Sequence, residues 1–218
     1  MTIIEAFRDP ELFGRLPLFA DLASWNRWLV FHKAWSALPM TADEMQIYTR
    51  HTGRQTPPTT TPSEVYVAAG RRSGKSFMAA LIAVFLSCFR DYRPYLAPGE
   101  RAMVLCIAND RDQAAIILRY IRAFLTDVPM LAATIERETA DSIELTNRVT
   151  IAVATCSYRA VRGVTLVAAS ADEIAFWRVD GANPAHEVLT ALRPAMATIP
   201  GALLLCISTP YSKSGVLY

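Results

Sequence analysis

Apolar positions follow two different patterns along the chain. Phe13, Leu16, Phe19, Leu22, Trp25, Trp28, Leu29 and Phe31 recur at spacings of three and four, which predicts amphipathic helices up to about residue 40, the second capped by Asp21 or Ser24. Thr41–Arg50 (TADEMQIYTR) predicts another short helix. His51–Pro62, HTGRQTPPTTTP, breaks both periodicities and reads as a loop. Beyond it the pattern changes to short continuous apolar runs, each closed by a polar turn. Val65 onward reads as a buried strand, and Phe77–Phe89 as a helix. Pro94, Pro98 and Gly99 then mark a turn within Arg90–Arg101. Ala102–Ala108 is a second strand, and Asn109–Gln113 opens a helix to about Thr126. Ser142–Leu145 and Val149–Thr155 flank Asn147 as a tight hairpin, and Leu166–Ser170 and Gly201–Ser208 are further apolar strands. Strand, polar cap and helix in alternation is the rhythm of an α/β fold with a mainly parallel sheet flanked by helices.

Composition narrows the function classes only a little. The 218 residues are 52% hydrophobic, enough for a sizeable core in one domain. No internal repeat and no boundary between two domains is visible. Residues 1–60 are expected to be a helical segment and linker packed on a core of residues 61–218. The net charge of +2 gives no bulk signal for a polyanionic partner, so any DNA contact must be a local patch. The longest apolar run, Phe77–Phe89, is too short to cross a bilayer, and no membrane association or signal segment is expected. Cys88, Cys106, Cys156 and Cys206 sit in apolar patterns without metal-ligand spacing and read as buried, reduced thiols. Trp25, Trp28 and Trp35 at helical spacing read as core rather than as a base-stacking platform.

The chemistry is concentrated in Val65–Ser76, VYVAAGRRSGKS. A strand running through a tight loop into a helix is the setting for a phosphate-binding loop. There, backbone N–H groups cradle phosphate and a lysine adds charge. Gly70, Arg72, Ser73, Gly74, Lys75 and Ser76 are the candidate nucleotide-binding residues, with the Ser76 hydroxyl a candidate ligand for Mg2+. The pattern G-x-x-x-x-G-K-[ST] is met except at its first position, where Ala69 stands one place before Gly70. Hydrolysis also needs a carboxylate near the metal and a group to orient water. Asp172 and Glu173 follow the apolar run LVAAS, at a strand's C-terminal edge where open α/β sheets bind ligands. Asp172 is assigned to Mg2+, through a coordinated water, and Glu173 to the base that polarises the attacking water. Ser208, Thr209 and Pro210 close the next strand and are placed to sense the terminal phosphate. Phosphoryl transfer also benefits from a guanidinium, with Arg71 and Arg72 in the loop and Arg159 and Arg162 before the acids as candidates.

Four segments in fixed order, AGRRSGKS, LCIANDRDQA, VRGVTLVAASADEIAFW and LLLCISTP, resemble the large terminase subunits of tailed bacteriophages and prophages from about residue 65 onward. The resemblance implies an additional-strand, catalytic-glutamate P-loop ATPase that uses ATP and Mg2+ to drive double-stranded DNA into a procapsid. It would act in the bacterial cytoplasm as a homo-oligomeric ring with the portal protein and a small terminase subunit. On that resemblance Lys75 and Ser76 belong to Walker A, Asp172 is the Walker B acid and Glu173 the catalytic glutamate. Ser208, Thr209 and Pro210 form the coupling motif, Arg71 acts within the subunit, and Arg162 is a finger offered to a neighbour. An adenine-contacting glutamine upstream of the loop finds two candidates, Gln46 and Gln55. The family's RNase H-like nuclease would lie beyond Tyr218, so no nuclease activity is expected of these residues. Two other readings share the same loop and acids. One is a helicase-like DNA-dependent ATPase, and the other a truncated remnant that binds nucleotide without useful turnover.

Overall fold

The computed structural model describes residues 1–156, 163–177, 184–213 and 215–217. They form two compact units, Met1–Pro62 and Ser63–Tyr218, divided at the end of a Pro- and Thr-rich stretch whose residues supply no continuous apolar face.

The first unit is helical. α1 (Ile3–Arg8) starts in a capping box between Thr2 and Glu5. Instead of a second long helix, three short 3-10 turns follow at Phe13–Arg15, Pro17–Phe19 and Leu22–Trp25. Asp21 caps the last of these turns through the Ala23 N–H. The next helix, α2 (Asn26–Trp35), begins without a side-chain cap. Pro17 removes a backbone donor and so helps keep these turns short. α3 (Ala42–Thr52) repeats the capping box with Thr41 and Glu44 and ends at Gly53 in the left-handed conformation. Glu44 also accepts the Lys33 ammonium at 2.6 Å, tying α3 to α2. Of the tryptophans on α2 and just before it, Trp35 is buried, while Trp25 and Trp28 are half-buried.

His32 is buried in this unit, its ring tilted against those of Phe7 and Phe31. Its Nδ1 accepts the Trp35 indole N–H at 3.0 Å, and its Nε2 is buried without a partner among the described residues. Burial pushes the imidazole down to about 3. The unfolded chain takes up a proton near the ordinary value of 6.5, and the folded chain takes it up only near 3. Stability is therefore complete above about pH 6.5 and falls towards pH 3, by up to about 1.4 kcal/mol per pH unit. Thermal melts followed by tryptophan fluorescence are expected to lose about 2 kcal/mol between pH 6.5 and 5, and His32→Gln to flatten that slope. An equal slope in both proteins would contradict this account.

The second unit is built on a seven-stranded sheet in the order β1-β7-β6-β2-β5-β4-β3. β1 (Glu64–Ala68), β2 (Ala102–Ala108), β5 (Val149–Thr155), β6 (Thr165–Asp172) and β7 (Leu203–Ser208) run parallel. β3 (Ile135–Glu138) and β4 (Ser142–Leu145) add an antiparallel edge. The turn between β4 and β5 holds Asn147, whose side chain caps Val149 N–H and donates to Ser87 O. β6 and β7 are buried almost end to end, as strands of a sheet covered on both faces must be. The covering helices are α4 (Lys75–Phe89) and α5 (Arg111–Thr126), packed on each other, the short α6 (Pro129–Ala132), and α7 (Pro184–Met196), packed on β6. β7 stands between β1 and β6, the position of the additional strand that the resemblance implies.

The cysteines are free. Cys106 and Cys206 are buried as expected, but Cys88 and Cys156 are only half-buried, because they sit at the last residues of α4 and just past β5 rather than inside an element's core. Among the described residues no helix is long and apolar enough to cross a membrane.

Candidate functional site

Sheet register brings distant residues to one edge. Ala68 on β1 pairs with Ser208 on β7, and Ile207 pairs with Asp172 on β6, so the three strands end side by side. Ala69 N–H then donates to Ser208 O at 3.0 Å and carries the loop away from the β7 end. The loop turns through Arg72 (φ 59°) and Gly74 (φ 81°), both left-handed. Gly74 accepts that conformation at little cost, whereas Arg72 holds it under strain. α4 starts directly after Gly74 with no side-chain cap and no acid in its first turn. Its leading N–H groups therefore face the cleft without a side-chain acceptor, and together with the helix dipole they favour an anion.

Lys75 is 6% exposed. It donates to Gly70 O at 3.0 Å and Thr209 Oγ1 at 2.9 Å, and pairs with Glu173 Oε1 at 3.4 Å. Ser76 Oγ donates to Asp172 Oδ2 at 2.8 Å across 96 residues of sequence. The two adjacent acids serve different partners because β6 ends at Asp172 and Glu173 turns left-handed (φ 51°). Trp177 Nε1 donates to Asp172 O at 2.9 Å and fixes that turn.

Glu173 is surrounded by donors. Thr209 N–H reaches Oε2 at 2.8 Å, Ser208 O–H reaches Oε2 at 3.0 Å, and Thr209 O–H reaches Oε1 at 3.1 Å. Burial pushes the carboxyl up, but the Thr209 N–H, the Lys75 charge and the two hydroxyls outweigh it and hold Glu173 below the usual glutamate range. Asp172 behaves oppositely. Burial pushes it above the usual aspartate range, and hydrogen bonds from Ser76 and Gln113 offset only part of the rise. Two neighbouring carboxyls driven in opposite directions are a mark of functional sites.

The candidate residues thus fall into three groups. Lys75, Glu173, Ser208 and Thr209 form one bonded set, and Ser76 and Asp172 form a second beside it. Arg71, Arg72, Ser73 and Gly74 line an open cleft of about 410 Å3 beside it, together with Glu173, Gln113 and Tyr120. Arg71 and Arg72 are exposed, and neither makes an ion pair among the described residues. Gly70 contributes its carbonyl, while Pro210 is exposed and outside the hydrogen bonds. Arg159 and Arg162 lie outside the described residues. The sequence reading missed Gln113, whose Nε2 lies 3.2 Å from Ser76 Oγ and 3.0 Å from Asp172 Oδ2. Its sequence signals are its place in the first turn of a helix that follows a parallel strand and in the segment LCIANDRDQA that carries the resemblance, but neither assigns it a site role.

Known proteins were compared by sequence and by structure. No family model and no curated protein matches the sequence. Solved structures do match. The large terminase of bacteriophage HK97 superposes with a TM-score of 0.54 at 17% identity, over 84% of this chain and 37% of that one. The large terminase ATPase domain of Thermus phage P74-26 superposes with a TM-score of 0.54 at 18% identity, over 84% of this chain and 70% of that one. The fold is that of a phage large-terminase ATPase domain. This chain therefore spans little more than a third of the HK97 terminase's length. A mutant form of the Thermus phage domain matches equally well, at a TM-score of 0.54. This chain's sheet accounts for the convergence of the acids, the lysine and the β7 end, because the three strand ends that carry them belong to its parallel half.

Proposed function

We propose that the chain is a magnesium-dependent ATPase of the terminase type, hydrolysing ATP to move double-stranded DNA. The observation that carries this reading is the pairing of Lys75 with Glu173 and of Ser76 with Asp172 at the open start of α4. Lys75 and the α4 N–H groups would bind the terminal phosphates. Glu173 would hold and deprotonate the attacking water, and Arg71 would offer charge from the cleft wall. Asp172 Oδ1 is buried and without a partner among the described residues, which suits a carboxylate that serves a cation. Ser76 and Asp172 would hold Mg2+, which when bound neutralises charge on the β- and γ-phosphates. No group of three or more His, Cys, Asp or Glu among the described residues could hold a metal by itself. Phosphate and water oxygens would therefore complete its coordination, as is usual for Mg2+.

Phosphate at Lys75 would draw its ammonium away from Thr209 and Glu173. Thr209 touches both, so phosphate binding loosens the donors around Glu173 and raises its basicity when it is needed. The Ser208-Thr209-Pro210 segment would then report nucleotide state to β7. Double-stranded DNA, a portal protein, a small terminase subunit and a homo-oligomeric ring are the partners this reading brings with it.

Steady-state ATP hydrolysis with duplex DNA, single-stranded DNA or neither tests it. Stimulation by duplex alone is expected, whereas stimulation by single strands alone would favour a helicase-like ATPase. Arg162 has a separate test. Arg162→Ala subunits mixed with Glu173→Ala subunits should recover hydrolysis if the arginine acts between chains, and no recovery at any ratio in intact rings would remove that role.

The engaged state of Glu173 favours one further reading: an isolated chain that binds nucleotide tightly and turns it over slowly. Nucleotide affinity with turnover that neither DNA nor ring assembly raises would select it.

A further inference from the structure

Gln113 touches Ser76 Oγ and one of the two carboxylate oxygens of Asp172, the residues assigned above to the cation, and it comes from an element that neither acid nor loop belongs to. Its backbone is fixed at the start of α5, where Gln113 N–H donates to the Asp110 cap at 2.8 Å. From there the side chain crosses to the first turn of α4, placing Nε2 3.2 Å from Ser76 Oγ and 3.0 Å from Asp172 Oδ2. The amide orientation follows from chemistry, since the reverse would set its carbonyl against a carboxylate. Ser76 O–H already donates to Asp172 Oδ2. The amide N–H groups therefore take one lone pair of Ser76 Oγ and the second site on Asp172 Oδ2, while Asp172 Oδ1 stays without a partner among the described residues.

We propose that Gln113 is a positioning residue of the divalent-cation site, whose amide competes with the cation for Ser76 Oγ and Asp172 Oδ2. An N–H donor and a dication cannot share the same lone pairs, and the partial positive charge of the amide opposes the incoming ion. Mg2+ alone gives up its water reluctantly and gains little by displacing the amide. Mg2+ arriving with a nucleotide brings phosphate oxygens to complete its shell. Gln113 thus makes cation entry depend on the nucleotide, and its displacement moves the first turn of α5. This inference rests on the assignment of Ser76 and Asp172 to the cation.

Thermal melts of the whole chain in EDTA and in saturating Mg2+, without nucleotide, test it in wild type, Gln113→Leu and Gln113→Glu. The wild type is expected to gain little from Mg2+ alone. Gln113→Leu removes the competitor, and a tenfold gain in cation affinity adds about 1.4 kcal/mol, or roughly 3–6 °C in Tm. Gln113→Glu sets a third carboxylate against Asp172, so it should melt lower than wild type in EDTA and gain still more from Mg2+. A glutamine with a merely structural role would lower Tm equally with and without Mg2+. A Mg2+-induced shift no larger than wild type in both variants overturns the proposal, and because each variant is its own reference a loss of stability does not mask it. Mg2+-dependent binding of a fluorescent ADP to the wild type is the companion measurement. If that dependence is missing, the cation assignment itself fails. If it is present while the variants behave as wild type, only the role of Gln113 fails.

Discussion

Lys75→Ala is expected to abolish ATP turnover, with a loss of at least about 10²–10³-fold, the usual cost of removing one preorganised charge donor from a transition state. Two effects act together. The phosphate-binding cation is lost, and so is the residue that loosens Glu173 from Thr209 when phosphate arrives. The fold is expected to persist, because Glu173 keeps the Thr209 N–H and the Ser208 and Thr209 hydroxyls as donors and is left partly solvated, not as a buried lone charge. Nucleotide affinity and turnover measured on the same protein check this. Wild-type turnover in Lys75→Ala would remove the loop from the mechanism.

Glu173→Gln should separate binding from chemistry. An amide keeps the shape of the carboxylate and can still accept from Thr209 N–H, but it cannot take a proton from water. Removal of a general base typically costs about 10²–10⁴-fold in rate. ATP affinity should stay within a fewfold of wild type, because Lys75, Ser76 and the α4 N-terminus are untouched. One side effect is expected in the same variant. Lys75 loses its carboxylate partner at 3.4 Å and is freer to meet phosphate, so affinity should move towards tighter binding. Single-turnover hydrolysis together with equilibrium nucleotide binding resolves the two terms. A fall in both affinity and rate would assign Glu173 to holding the nucleotide instead.

The elements carrying these residues were legible for a physical reason. β2, β6 and β7 are buried on both faces, so they read as unbroken apolar runs whose polar ends mark the site edge. The hairpin at Asn147 was visible because two short β-prone runs flank a turn residue. β3 (IERE) was not, since it is an edge strand with three exposed residues and has no apolar face to show. α7 carries Pro194 inside it, which breaks the pattern a helix is recognised by. In the first unit the spacing of aromatics was right, but 3-10 turns around Pro17 present residues at similar spacing and were read as helix. Within the candidate site, the lysine, serine and acids that the structure brings together stand out by residue type and spacing. The long-range pairings of Thr209 with Lys75 and of Gln113 with Asp172 depend on strand order and on α4–α5 packing. No local pattern encodes either.

The most direct measurement is a crystal structure of the chain with Mg2+ and a non-hydrolysable ATP analogue. The terminal phosphate should lie within hydrogen-bond distance of Lys75 Nζ, with the cation against Ser76 Oγ and linked to Asp172, and Glu173 released from at least one of its Thr209 contacts. A nucleotide bound elsewhere, with Lys75 still held by Thr209 and Glu173, would contradict the account.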